Sequence, residues 1–289
     1  MFARPTPAPS VALLVHACDR YEFLYPGFAW FFGRYWPRQI RCAYYFATEE
    51  KPADIAGFQN IRSGRGEWSD RLRRLLEQLT EDYVLYFQED VWLSEPVQAG
   101  FFEELFALAA AQGWQHVKLH SAEMYRPHPT PFTVAGLRVA QLDNAGSGYL
   151  MSHQITLWNR EYLLKQLALG PGEHPWRNER RGTKRLRRQN DPIRQLDYFA
   201  ENGKPAINEN EPAAPRSAYY TVSVNSVLHE RVRPYITQLQ AEGGPAEHAY
   251  AAALADHLAR QLTHDGLPKP RKEDFLQKIK RRFRAWRGR

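Results

Sequence analysis

Cysteine is nearly missing from this chain: Cys18 and Cys42 are the only two in 289 residues. That excludes a disulfide framework and a cysteine-ligated metal centre. Long apolar runs are missing too, and none reaches the roughly 18–20 residues needed to cross a bilayer. The proline-rich opening Met1–Ser10 lacks the charged-then-apolar order of a secretory signal. There is no internal repeat, no phosphate-binding P-loop and no recognised nucleic-acid-binding motif. These absences describe a soluble protein of a reducing compartment.

What is present is an aromatic-rich composition, 43% hydrophobic and 13% Phe, Trp and Tyr, which can bury a sizeable core. The length suits one large α/β domain with appendages. The net charge of +7 is unevenly spread. One basic cluster comprises Arg177, Arg180, Arg181, Lys184, Arg185, Arg187 and Arg188, and a second fills the chain from Pro268 onward. Both call for anions.

Hydrophobic patterning predicts strands at Val11–Ala17, Arg41–Ala47, Phe58–Arg62, Tyr83–Phe87 and Val117–His120. Between them it predicts an aromatic helix ending near Tyr35 and helices over Glu67–Leu79 and Phe101–Ala111. This alternation implies an α/β fold, a mostly parallel sheet flanked by helices. Past Arg126, Pro127, Pro129 and Pro131 predict broken structure, and Val134–Leu142 an outlying strand. A polar loop at Asp143–Gly148, a strand at Ser152–Trp158 and a helix at Arg160–Leu167 follow. Asn208–Pro215 reads as loop, Tyr219–Leu228 as strand and Pro245–Leu262 as helix, with a hinge at Leu267–Pro270. The division is a flexible segment 1–10, a catalytic domain 11–265 and a hinge with a basic tail, 266–289.

The most informative segment is Tyr83–Leu93, where an apolar strand runs into Glu89 and Asp90 and an apolar run resumes at once. Buried carboxylates are costly unless a positive group meets them, and a hard divalent cation carrying phosphate oxygens is one such partner. Upstream, the apolar stripe Trp68, Leu72, Leu75, Leu76 and Leu79 leaves Arg71 off the packed face, and arginine suits phosphate. Ligands of open α/β sheets sit beyond the carboxyl ends of the strands. Asp19, Glu49-Glu50 and Glu89-Asp90 all fall at such ends.

Several pieces taken in order resemble bacterial nucleotide-sugar-dependent glycosyltransferases of the GT-A type found in surface polysaccharide biosynthesis. They are Cys18-Asp19-Arg20-Tyr21, Tyr35-Trp36-Pro37, Trp68-Ser69-Asp70-Arg71-Leu72, Gln88-Glu89-Asp90-Val91-Trp92-Leu93, Leu157–Leu163 and Glu173-His174-Pro175-Trp176-Arg177-Asn178-Glu179. The resemblance fades beyond about Pro192. It implies a GT-A-like Rossmann-type domain. It also implies a divalent metal (Mn2+ or Mg2+) on Glu89 and especially Asp90, and a nucleotide-sugar donor held by Asp19, Trp68 and Arg71. Gln88-Glu89-Asp90 departs from the all-aspartate form of that motif.

An inverting transferase needs a base for the acceptor hydroxyl. Glu179, beside Trp176, is the first candidate and Glu173 the second, with Asp143 and Asp191 behind them. Tyr149, His153, Gln154 and Trp176 are candidates for a glycan or lipid-linked glycan acceptor, whereas Trp158 reads as core and His229 as surface. Two other readings of the same residues are a basic nucleic-acid-binding protein and a nucleotidyltransferase. Nucleic acid is not the expected partner, because the aromatics lie in apolar strands rather than between basic residues. In the tail, Phe275, Leu276, Ile279, Phe283 and Trp286 share one helical face among lysines and arginines. That pattern predicts an amphipathic helix on an anionic membrane surface, and so a cytoplasmic enzyme held at the inner face of the membrane.

Overall fold

A computed structural model describes residues 9–208, 210 and 213–269. Residues 1–8 and the tail Lys272–Arg289, with its expected membrane-facing helix, lie outside the described residues. Among the described residues no helix is long and apolar enough to cross a membrane.

The chain opens with β1 (Val11–His16), buried along its whole length. A 3-10 turn over Asp19–Leu24 leads into α1 (Tyr25–Tyr35), which carries proline in its first turn and stops before Pro37. Then come β2 (Ala43–Thr48), β3 (Gln59–Arg62), α2 (Trp68–Leu76), β4 (Tyr83–Gln88) and the short β5 (Val91–Leu93). They are followed by α3 (Ala99–Ala111), β6 (His116–His120), β7 (Pro127–Val134), β8 (Leu137–Leu142), β9 (Thr156–Asn159) and α4 (Arg160–Ala168). The last third holds α5 (Pro175–Gln189), β10 (Arg194–Glu201), β11 (Ser217–Thr221), β12 (Ser223–Val224), β13 (Val227–Leu228), α6 (Arg233–Glu242) and α7 (Pro245–Arg260).

The main sheet runs β3-β2-β1-β4-β9-β6-β10-β11-β5, with β8 also on β10 and β7 on β8. Strands β1 to β4, β6, β10 and β11 point one way; β9, β5 and β8 oppose them. The expected architecture, a mostly parallel sheet flanked by helices, is therefore present. Period-2 alternation in β1 shows why both faces are covered. Leu13 and Val15 pack into one core with α1, α3, α6 and α7, while Ala12 and Leu14 pack into the other with α2, α4 and Leu186 of α5.

Three sequence expectations are corrected and one strand is added. The prolines at 127, 129 and 131 do not break structure: they lie in β7, which pairs β8 alone. Pro127 and Pro129, spaced by two, turn their missing N–H groups to the unpaired side of an edge strand, and Pro131 falls where the β7–β8 register shifts. The expected strand Val134–Leu142 is interrupted by a turn at Ala135-Gly136, both at positive φ, that joins β7 to β8. Tyr219–Leu228 is divided among β11, β12 and β13. Strand β10 escaped the sequence reading because Gln195 and Asp197 look like surface residues, yet both are fully buried. Asp197 is satisfied there by the Ser121 hydroxyl, the Gln195 amide and the backbone N–H groups of Ile207 at 3.0 Å and Asn208 at 2.6 Å.

Candidate active site

The carboxyl ends of β1, β4 and β11, together with the first turns of α2 and α5, enclose a cavity of about 610 Å³. Its floor is the turn after β4. There the chain must reverse at once, because β5 leaves to pair antiparallel with β11. Trp92 Nε1 donates to the Glu89 carbonyl at 3.1 Å and the Val222 N–H to the Asp90 carbonyl at 2.9 Å, so both ends of the turn are tied down. Glu89 is buried and Asp90 is partly open to the cavity. Burial raises the Glu89 carboxyl well above the usual range, and the neighbouring Asp90 charge raises it further. Burial likewise pushes Asp90 up to about 7.

Arg71, buried in α2, places Nη1 2.9 Å from Glu49 Oε1, while its Nε has no hydrogen-bond partner. His16 ends β1 with Nδ1 3.2 Å from the Tyr86 hydroxyl and Nε2 unpartnered. Burial, then the charges of Arg71 and His153, holds His16 well below the ordinary histidine range. The Trp68 ring sits 5.5 Å from His16 and 4.0 Å from His153, forming an aromatic wall.

The opposite wall is α5. His174 caps it, its Nδ1 accepting from Arg177 N at 3.4 Å, and the first turn of the helix brings Glu179 to the cavity. Glu179 Oε1 accepts the His153 N–H at 3.1 Å. Burial raises its carboxyl, opposed by that hydrogen bond and by the charge of Lys118. Lys118 is fully buried on β6 and donates to Ser152 Oγ at 2.7 Å. Burial pushes it down to about 7.

The roof is the segment 221–226, where Asn225 and Ser226 are consecutive non-glycine residues at φ 54° and 65°. Such backbone is sparsely populated and must be held. Here the Tyr21 hydroxyl lies 3.1 Å from Ser226 Oγ, and Ser223 Oγ lies 2.7 Å from His264 Nε2.

Eight candidate residues from the sequence line this cavity together: Trp68, Arg71, Glu89, Asp90, His153, Gln154, Trp176 and Glu179. Three do not. The Asp19 carboxylate is occupied by the backbone N–H groups of Glu49, Glu50 and Lys51, each at 3.0 Å, so it caps the loop after β2. Glu173 is buried, accepting from Asn178 Nδ2 at 3.0 Å and Arg181 Nη1 at 3.3 Å, with Arg185 at 3.8 Å. A carboxylate so engaged is a poor base. Tyr149, half exposed, lines an adjoining depression instead. Neither Asp143 nor Asp191 reaches the cavity: Asp143 caps Ala145 N and Asp191 accepts from the Tyr162 hydroxyl. Trp158 is core, as expected, whereas His229 is only partly exposed and caps Arg231 N at 3.2 Å.

Sequence reading missed His16, Tyr21 and the 221–226 segment. His16 carried a signal, a lone imidazole closing an otherwise apolar strand. The segment carried none, because neither Asn225 nor Ser226 announces positive φ.

No protein-family model matches the chain, and no curated protein matches it. Among solved structures it is similar to CMP:2-keto-3-deoxy-manno-octonic acid synthetase complexed with CTP, at 13% identity. The match covers 64% of this chain and 88% of that one with a TM-score of 0.38. A likeness of that size assigns neither family nor activity.

Proposed function

We propose that the chain is a glycosyltransferase that moves a sugar from a nucleotide-diphosphate donor to a saccharide acceptor with inversion. One observation carries this reading: Glu89 and Asp90 stand at the carboxyl end of a central parallel strand, in a cavity, with their acidities weakened by burial. Two adjacent carboxylates with no lysine or arginine partner among the described residues are an unstable arrangement unless a cation joins them.

The donor set fits a hard divalent ion. Magnesium-type sites use one or two carboxylates and complete their shell with substrate phosphates and water. Glu89 and Asp90 would hold the ion, which would supply neutralising charge for a departing diphosphate. Arg71, which lines the cavity, would bring its guanidinium to a phosphate oxygen, a charge-assisted contact. The Trp68 wall excludes water from one side.

Glu179 would take the proton of the acceptor hydroxyl as its oxygen bonds to the anomeric carbon. The bond to the diphosphate breaks as the new one forms, and its electron pair leaves on the phosphate oxygen. A carboxyl raised by burial and aimed by the His153 N–H is suited to that transfer. Arg71 is the only lysine or arginine lining the cavity among the described residues. That favours a diphosphate over the triphosphate a nucleotidyltransferase would cleave.

Calorimetry with nucleoside diphosphates, with and without manganese, is the test. Metal-dependent binding followed by hydrolysis of one nucleotide sugar supports the reading. Pyrophosphate release from a nucleoside triphosphate and a sugar phosphate would replace it, and tighter binding of single-stranded RNA than of any nucleotide would overturn it.

A further inference from the structure

Next to the cavity lies a second depression of about 490 Å³, and Glu179 lines both. Its far side is α5. Arg180, Lys184 and Arg187 line it at spacings of four and three, which puts them on one helical stripe. The guanidinium of Arg187 is held by the carbonyls of Asn144 at 3.1 Å and Ser147 at 2.8 Å. Among the described residues Arg180 and Lys184 have no ion pair and no side-chain hydrogen bond. Arg187 and Arg188 suit the negative end of the helix in its last turn. That argument does not reach Arg180 or Lys184 in mid-helix.

The rim opposite is apolar and open. Tyr149 is 50% exposed and Met124 40% exposed, two large side chains left to water at one place. Tyr149 adopts φ 45°, a left-handed backbone that a bulky residue rarely takes. Strained backbone presenting an exposed aromatic ring beside unpaired cations is the kind of feature that marks ligand sites.

We infer that this depression is an acceptor subsite for an anionic glycan, in which Arg180, Lys184 and Arg187 meet a carboxylate or phosphate on the sugar and Tyr149 packs on the ring. This rests on the transferase reading, because Glu179 on the shared wall then lies between donor and acceptor. The stripe from residue 180 to 187 is about 10 Å long. That length matches a short oligosaccharide and falls well below the track of phosphates from which nucleic-acid affinity is built.

The test uses the full chain and four probes at low salt: maltotetraose, tetragalacturonate, maltotetraose 1-phosphate and decathymidylate. Either tetragalacturonate or maltotetraose 1-phosphate should bind about tenfold or more tighter than maltotetraose, the effect of one or two charge-assisted contacts. Whichever anion wins names its chemistry as carboxylate or phosphate. Arg180→Ala/Lys184→Ala should remove that preference, and Lys184→Glu should reverse it, with unchanged melting temperatures in both variants. Equal affinity for neutral and anionic sugars, no binding of any sugar, or a preference that survives both variants overturns the subsite. So does decathymidylate displacing the anionic sugars. Uridine diphosphate with manganese is titrated in the same samples. Nucleotide binding without an anionic preference removes the subsite and leaves the donor reading standing, whereas an anionic preference without nucleotide binding leaves a glycan site but overturns its role as acceptor subsite.

Discussion

The turn after β4 and the start of α5 face each other across one cavity, and each brings two acidic residues. At the β4 turn, Glu89 and Asp90 stay together, and the burial that raises both carboxyls outweighs the charge of Arg71 on Glu89. At α5 the acids separate. Glu173 is neutralised by Arg181 and Arg185 and bonded to Asn178, whereas Glu179 is left with a backbone N–H and a distant lysine. The same residue type six positions apart becomes scaffold in one case and candidate chemistry in the other. What distinguishes them is the partner, since a carboxylate locked by donors has lost the basicity a proton transfer needs.

The largest expected effect tests the first region. Asp90→Asn should abolish manganese-dependent nucleotide binding in calorimetry while the fold persists; unchanged binding would remove the metal role. Next, Glu179→Gln should slow transfer by about 10²–10⁴ and leave donor affinity intact, whereas Glu173→Gln should turn over normally. The contrast breaks if the Glu173 variant is dead and the Glu179 variant active.

Thermal melts should show the opposite order. Glu173→Gln should lose about 1–3 kcal/mol, because two arginines and a buried amide lose their ionic partner, while Glu179→Gln should not be destabilised. Gly27→Ala should cost about 1–3 kcal/mol and weaken nucleotide binding, since a Cβ there would stand 2.1 Å from Trp92 Cζ2. Trp92 is the residue whose indole N–H holds the Glu89 carbonyl.

The last contrast is in pH. An unfolded aspartate titrates near 4, whereas burial pushes the folded Asp90 carboxyl up to about 7. The folded chain keeps the proton through that window, so this contribution to stability is full below about 4 and is lost as pH rises toward 7. Melting temperature of the ligand-free protein should fall across that range, and less so in Asp90→Asn. Nucleotide–metal affinity should run the other way, rising with pH as the carboxylates ionise. A pH-independent difference between wild type and variant would show that Asp90 is not raised.

Much of the fold was legible because burial on both faces writes itself as short apolar runs, as in Val11–His16 and Tyr83–Phe87. The polar strand β10 was not, because Gln195 and Asp197 are buried by hydrogen bonds from distant segments, which no local pattern encodes. The same holds for Asp19. Its place after β1 suggested a ligand, and only the approach of the loop after β2 turned it into a cap.

The sequence by itself determined the alternation of strands and helices and the acid pair that interrupts an apolar run after β4. It also determined the basic stripe of α5, since each of these depends on residues near one another in the chain. Tertiary structure alone decided which acids stay unpaired, that His16 and the 221–226 segment join the cavity, and that Glu179 forms the wall shared with the basic depression. Those outcomes depend on long-range approach, and the energy of a charged group is set by whatever donor, cation or dielectric the fold brings to it.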